Sequence, residues 1–303
     1  MSIVKHRTIY FSIIGTLSAA AVGAILFFGL PLSIDFTGGS LIEVAYTVDR
    51  PDVVSLKTEI ARVGFSDASI RESGENGVTL RTHTLTPEEH DTLLRTLSQE
   101  GKAPLTELRF NSIGPSLGSE LAIKALYAIG AVIFAIMLYI AFAFRKVSRP
   151  VSSWTYGLIV VLVLIHDVLI PTGFYAVYAH FTGAQVDSLF VVAILAILGY
   201  SINDTIVIFD RVREHLGFNQ EKNIKESFET TVDKSVIETL GRSINTSITV
   251  TLALIALAVV GSPATLGFAL VLLAGVIAGT YSSIFAAAPL LIPFAKQFAK
   301  KDE

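Results

Sequence analysis

Six long apolar runs punctuate the chain, at about residues 8–30, 121–144, 154–179, 188–209, 243–260 and 264–294. Each has the length, about 17–25 residues or more, that a helix needs to cross the hydrocarbon core of a bilayer. The last is long enough to tilt, or to end early at Pro289, which cannot donate to a helical ladder. Gly275 and Gly279 form a GxxxG pair, a close-packing face. Pro171 and Pro289 predict kinks whose freed carbonyls need neighbours.

Residues 31–120 break this pattern. Residues 40–47 alternate with a period of two, Ile42, Val44 and Tyr46 opposing Leu41, Glu43, Ala45 and Thr47, and so predict a strand. Residues 51–63 predict a helix preceded by Asp49 and stopped by Gly64. Residues 68–72 and 78–84 predict two strands joined through a turn, 73–77, that contains Asn76-Gly77. Thr86-Pro87-Glu88-Glu89 is a helix start, with a hydroxyl cap, Pro in the first turn and acids beside the positive end of the helix. That helix is expected to reach Glu100 and end at Gly101. Residues 105–113 predict a last strand. The order β-α-β-β-α-β is the split-βαβ, ferredoxin-like pattern. It hosts many activities and so names none.

The fold expected is therefore a polytopic α-helical membrane protein with six transmembrane helices and one small α+β domain. Basic residues orient it. Lys5 and Arg7 precede the first run; Arg145, Lys146 and Arg149 separate the second and third. Six more lie at 211–242, and Lys296, Lys300 and Lys301 follow the sixth. The connections 180–187 and 261–263 carry no Lys or Arg. Basic loops stay cytoplasmic, so both termini are expected inside. This divides the chain into a cytoplasmic N-terminus with the first helix (1–30), an extracytoplasmic domain (31–120), the remaining five helices (121–294) and a cytoplasmic tail (295–303). The first run is read as a retained helix: it exceeds a signal peptide's 7–15-residue core, and Ala19–Ala21 lie in its middle. The charged loop 211–241 is expected to form a solvated amphipathic helix on the cytoplasmic face.

Composition narrows the chemistry. Charged residues are 16% of the chain, against about 25% in an average globular protein. A net charge of -3 gives no reason to expect nucleic acid as a partner. The absence of cysteine excludes disulfides and thiolate metal sites. No metal and no cofactor is expected, protons apart.

Against that background the intramembrane polar residues stand out. The third run carries His166-Asp167. The fourth carries Tyr200, Asn203 and Asp204 on one helical face. The fifth opens with Arg242, Asn245, Thr246 and Thr249, again spaced as one face. A carboxylate at that depth costs roughly 2.5–3.5 kcal/mol to insert, so one that is kept has a partner or a use. Asp204 lies about sixteen residues into its helix, in the cytoplasmic half at 1.5 Å per residue. Arg242 enters at the same level, and a contact between them is expected. Burial raises a carboxylate pKa and a nearby guanidinium lowers it; that competition suits a group that binds and releases a proton. His166 fits either a relay or a residue that orients Asp167.

Four stretches in this order carry a resemblance: Asp35-Phe36-Thr37-Gly38-Gly39 after the first run, His166-Asp167, Gly199-Tyr-Ser-Ile-Asn-Asp204 with its continuation to Arg213, and Arg242-Ser-Ile-Asn-Thr-Ser247. With one outer domain after the first of six helices, they resemble the SecD/SecF protein-translocase family, on its SecF side, within the RND superfamily. The resemblance covers essentially the whole chain. It implies an RND-type membrane fold in the bacterial cytoplasmic (inner) membrane. It implies SecD and the SecYEG channel as partners, with YajC a further candidate, and a translocating unfolded polypeptide as what is moved by the proton gradient. It places Asp204 and Arg242 in proton passage. It makes Asp35–Gly39 a junction motif, whose paired glycines suit a hinge or a rigid tight turn equally.

Two other classes remain open at this stage. A proton-driven transporter half for lipid or small hydrophobic molecules would need an aromatic-lined tunnel in the outer domain. An intramembrane aspartyl protease would use Asp167 and Asp204, but the Gly-x-Gly-Asp that such enzymes carry is replaced here by Ser201-Ile-Asn203-Asp204. No His-Glu-x-x-His is present for a zinc protease, and no enzymatic activity is expected.

Overall fold

The computed structural model describes residues 3–47, 49–145 and 150–299. Lys146, Arg149, Lys300 and Lys301, part of the expected positive-inside signal, lie outside them. The chain divides into two units: Met1–Pro31 with Tyr127–Glu303, and Leu32–Leu126.

In the first unit a short 3-10 turn, Val4–His6, leads into α1 (Arg7–Phe28). The second unit opens with a single helical turn, α2 (Ile34–Thr37). It continues through β1 (Gly39–Tyr46), α3 (Val53–Arg62), β2 (Ser69–Ser73), β3 (Gly77–Thr82), α4 (Pro87–Leu97) and β4 (Leu105–Ile113). The sheet order is β2-β3-β1-β4 with every pair antiparallel. That is the topology the β-α-β-β-α-β reading requires. Ile42, Val44 and Tyr46 of β1 point into one core with Val78 and Leu80 of β3, Leu56 and Ile60 of α3, and Leu93 and Leu97 of α4. The register shifts between Glu43 and Val44, so β4 carries one unpaired residue, Leu108, as a bulge.

The boundaries differ from expectation in physically legible ways. Asp52, not Asp49, caps α3, accepting from the Ser55 N–H at 2.9 Å. Thr86 and Glu89 form the full reciprocal capping box of α4. α4 stops a turn before Glu100, because Gln99 and Glu100 adopt left-handed backbone angles (φ 48° and 55°).

The remaining helices are α5 (Pro115–Ala143), α6 (Ser153–Thr182), α7 (Ser188–Glu221), α8 (Phe228–Val260), α9 (Pro263–Ser282) and α10 (Ala288–Ala299). A π-helical segment, Ser283–Ala287, joins the last two. Six helical rods among the described residues are long and apolar enough to cross a membrane: Val4–Phe28, Pro115–Ala143, Ser153–Thr182, Ser188–Glu221, Phe228–Val260 and Ala264–Ala295. α6, α7 and the α9–α10 rod form the centre of the bundle; α1, α5 and α8 are mostly exposed around it.

Glycine sets the closest approaches. A Cβ on Gly279 would sit 2.9 Å from Ser201 Cβ, and one on Gly275 would collide with the Ile197 side chain. The GxxxG pair is thus the face on which α9 packs against α7. Gly173 of α6 lies against Ala21 of α1, where an added Cβ would come within 2.6 Å of the Ala21 Cα.

Both prolines act on the bundle's interior. Pro171 lies four residues after Asp167, so it removes the helical donor for the Asp167 carbonyl. Pro289 is buried two residues after the π-helical segment.

The loop 211–241 departs from expectation. It forms no separate surface helix. α7 runs on to Glu221, and α8 begins at Phe228 with a Ser227 cap that accepts from the Thr230 N–H. The charged residues hold this hairpin together: Arg211 and His215 of α7 both bond Glu238 of α8, at 2.5 and 3.0 Å.

Candidate functional site

The polar residues of the spans converge in the centre of the bundle. Asp167 is fully buried on α6. Its Oδ2 accepts a short hydrogen bond from the Ser201 hydroxyl of α7, and Ser282 of α9 also flanks it. Its Oδ1 has no hydrogen-bond partner among the described residues. Ser201 precedes Asp204 by one helical turn, about 4.5 Å along the axis. The two carboxylates therefore belong to one polar layer.

Asp204 is only 4% exposed. Ser243 of α8 faces its carboxyl, and Arg242 acts on it through space. Among the described residues neither Asp204 Oδ2 nor Ser243 Oγ has a hydrogen bond of ordinary geometry. Arg242 is exposed, and no ion pair joins it to Asp204 among the described residues. The expected contact is thus an electrostatic influence rather than a salt bridge.

α8 is rotated relative to expectation. Its buried hydroxyls are Thr231, Ser235, Thr239, Ser243 and Ser247, spaced by four as one face. Asn245 and Thr249 are exposed and Thr246 is half-buried. The Thr246 hydroxyl turns back to the Arg242 carbonyl at 2.5 Å. On α7, Tyr200 is half-buried and Asn203 exposed. Tyr200 donates to Ser247 at 3.0 Å, and Ser247 meets Thr280 of α9 at 2.5 Å. Thr280 donates to the Val276 carbonyl at 2.7 Å. This donor chain links α7, α8 and α9 beside Asp204. Thr205 meets Ser283 of the π-helical segment at 2.8 Å, so the widened turn lies at the polar layer.

His166, also buried, engages different helices. Its Nδ1 is 2.7 Å from Ser18 Oγ of α1 and its Nε2 is 2.8 Å from the Tyr281 hydroxyl of α9.

Several contributors were not singled out from the sequence: Ser18, Ser201, Ser243, Ser282 and Tyr281. One signal for the last two was present. Thr280-Tyr-Ser-Ser283 is a run of four hydroxyl residues inside an otherwise apolar stretch.

The junction motif lies in the second unit. Ser33 caps α2, accepting from the Asp35 N–H at 3.2 Å, and Phe36 is buried. Thr37 donates to the Ser33 carbonyl at 3.0 Å. Gly38 (φ 74°) and Gly39 (φ 120°) are in backbone regions that favour glycine. A Cβ at Gly38 would lie 2.6 Å from Pro115 Cα, and one at Gly39 2.6 Å from the Thr82 carbonyl oxygen. The geometry is that of a close-packed turn.

Comparison with known proteins agrees with this architecture. The family described as protein export membrane protein SecD/SecF, C-terminal, matches residues 94–297, and the SecD/SecF GG motif matches residues 23–49. Protein translocase subunit SecF of Anaerolinea thermophila is 36% identical over 297 residues, covering 96% of this chain and 93% of its own. The subunit of that name from Thermobaculum terrenum is 37% identical over 282 residues, covering 88% and 86%. Among solved structures, SecDF from Thermus thermophilus, described as a translocon-associated membrane protein, superposes with a TM-score of 0.81 at 29% identity. The match takes in all of this chain and 39% of that one. SecDF in a super-membrane-facing form gives 0.69, also at 29% identity, over all of this chain and 40% of that one.

Six apolar helices together with one ferredoxin-like unit define a polytopic membrane protein of the SecDF architecture. The chain belongs to the SecD/SecF family of protein export membrane proteins, and its curated relatives are SecF subunits.

Proposed function

We propose that this chain is an accessory subunit of the protein-export translocase, coupling proton entry through its membrane bundle to the export of unfolded polypeptide. The observation that carries this reading is Asp204: a carboxylate 4% exposed, without a salt bridge among the described residues, facing a serine hydroxyl and under the field of Arg242. A charge kept there at a cost of about 2.5–3.5 kcal/mol is suited to loading and unloading a proton. Asp167, one turn away through Ser201, supplies a second stage. Moving one charge through 100 mV yields about 2.3 kcal/mol, enough to bias a conformational equilibrium about 50-fold.

Asn203, Arg242, Asn245 and Thr249 are exposed on spanning helices. Such groups are costly against acyl chains, and they suit a polar surface of a second membrane subunit. SecD is the partner that family membership supports; the SecYEG channel is the assembly in which the pair would act. Lys and Arg placement supports cytoplasmic termini, and family membership supports residence in the inner membrane.

Asp204→Asn, assayed in vesicles containing the partner subunits, tests the reading. Loss of proton-dependent export with normal insertion is expected; unchanged export would reject it. The transporter alternative needs an aromatic-lined tunnel in the outer unit. Two of its surface hollows are lined by Glu59, Arg62 and Lys102, and by His83, Glu88 and Glu89 beside Phe65. These are polar, open surfaces and not an aromatic tunnel.

A further inference from the structure

α1 is one of two helices through which the chain passes between its two units. It ends at Phe28, four residues before Leu32 opens the second unit. Its hold on the membrane bundle is mostly apolar: Ala21 against Gly173, and Tyr10 against Phe285 at 4.7 Å between ring centroids. At its N-terminal end Arg7 pairs with Glu229, and the Val4 N–H donates to Asp233. Within the span, Ser12 and Thr16 turn their hydroxyls back onto their own helix. Ser18 does not. It reaches across to His166 Nδ1 at 2.7 Å.

The other ring nitrogen of His166, Nε2, is engaged too, by the Tyr281 hydroxyl at 2.8 Å. A neutral imidazole donates from one nitrogen and accepts at the other, and both neighbours are hydroxyls that take either role. The ring is therefore satisfied as it stands. Its sequence neighbour Asp167 meets Ser201 and Ser282, and Ser282 is the sequence neighbour of Tyr281. One adjacent pair on α6 thus meets an adjacent pair on α9. Asp167 turns toward the carboxylate layer and His166 toward α1.

We infer that His166 is a positioning residue that, through Ser18, transmits rearrangement of the carboxylate layer to α1, and that it carries no proton itself. This goes beyond the proton-coupled reading and rests on it. α1 is one of the two covalent routes from the membrane bundle to the second unit. A hydrogen bond across an otherwise apolar seam is a specific, breakable link, since apolar packing tolerates sliding that a fixed donor–acceptor pair does not.

The experiment separates coupling from conduction. The chain is reconstituted with its SecD and SecYEG partners, and proton influx and polypeptide export are measured on the same vesicles. Ser18→Ala is expected to lower proton-stimulated export by about fivefold to tenfold, the scale of one lost hydrogen bond, with influx within about twofold of the unaltered chain. Ser18→Thr, which keeps the hydroxyl, is expected to restore export. Parallel loss of influx and export in Ser18→Ala would put the pair in the proton path and overturn the inference. Unchanged export would overturn it as well. Because the chain has no cysteine, cysteines introduced at Phe28 and His180, whose rings lie 4.8 Å apart, report α1 movement independently. Their cross-linking rate is expected to respond to the proton gradient, and to lose that response in Ser18→Ala. A response that survives the substitution counts against the link. Asp204→Asn run alongside is expected to lose both influx and export; if it loses neither, the proton-coupled reading fails whatever Ser18 does.

Discussion

Ser201 donates its hydroxyl hydrogen to Asp167 across the α6–α7 seam while Gly279 of α9 packs against the same serine, a Cβ there reaching 2.9 Å from Ser201 Cβ. The buried carboxylate is thus held by a residue whose position depends on a glycine in a third helix. Gly279→Val is expected to push α9 away from α7 and lower stability by about 1–3 kcal/mol, the usual cost of overpacking. Gly199 of α7 is the control. Nothing lies within 4 Å of its added Cβ, so Gly199→Ala is expected to be neutral or stabilising by up to about 1 kcal/mol. Thermal unfolding in mild detergent distinguishes the two; equal effects would contradict the packing described.

The two stripes of α8 make a second contrast. Ser247 is buried between Tyr200 and Thr280, whereas Asn245 is exposed. Ser247→Val leaves both hydroxyl neighbours short of a partner and is expected to destabilise the isolated chain by about 1–3 kcal/mol. Asn245→Val is expected to change its unfolding midpoint little. Comparable losses from both would mean that α8 faces the bundle with its other side.

That contrast also shows where sequence reading stops. The ferredoxin-like unit was legible because its signals are local: Ile42, Val44 and Tyr46 alternate, Thr86 and Glu89 cap, and 105–113 returns as a strand with the limits expected. The spans were legible because length and apolarity suffice. The rotation of a spanning helix is not written in the same way. Lipid and bundle interior are equally apolar, so the polar stripe 242, 245, 246, 249 and the hydroxyl stripe 239, 243, 247 look alike until packing chooses between them. The direction of His166 was hidden for a related reason. Its partner Ser18 lies in α1, far off in sequence, and a single serine beside alanines carries no periodic signal.

Arg242 acts on Asp204 with no ion pair between them among the described residues. A through-space effect needs the charge and not the planar guanidinium fork. Arg242→Lys is therefore expected to keep proton-stimulated export within about threefold, while Arg242→Gln lowers it about tenfold, the scale of a 1.4 kcal/mol electrostatic term. Export assays on the two variants at matched expression decide it. A lysine variant as weak as the glutamine one would point to a geometric role, such as bidentate contact with a partner subunit.

The second unit has its own acid-sensitive point. Asp67 Oδ2 accepts from the Thr82 hydroxyl at 3.0 Å and the His83 N–H at 3.1 Å, and lies 3.1 Å from His83 Nδ1. Burial by itself would raise this carboxyl's pKa, but the hydrogen bonds from the His83 side chain and backbone and from Thr82 outweigh it, leaving the group below its usual 3.8. The unfolded chain then binds the proton more readily than the folded one, so stability falls as protons are added. The contribution is complete above a pH of about 3.8 and fades as pH falls through the lower, folded value. Glu89 shifts in the same direction, chiefly through its bond from the Thr86 backbone N–H. The unaltered chain is accordingly expected to lose hydrogen-exchange protection in β3 and α4 below a pH of about 4, after correction for intrinsic exchange. Asp67→Asn is expected to be less stable near neutrality and to decline less steeply in acid, so that the two curves converge at low pH. Parallel curves across that range would show that Asp67 carries none of the acid sensitivity.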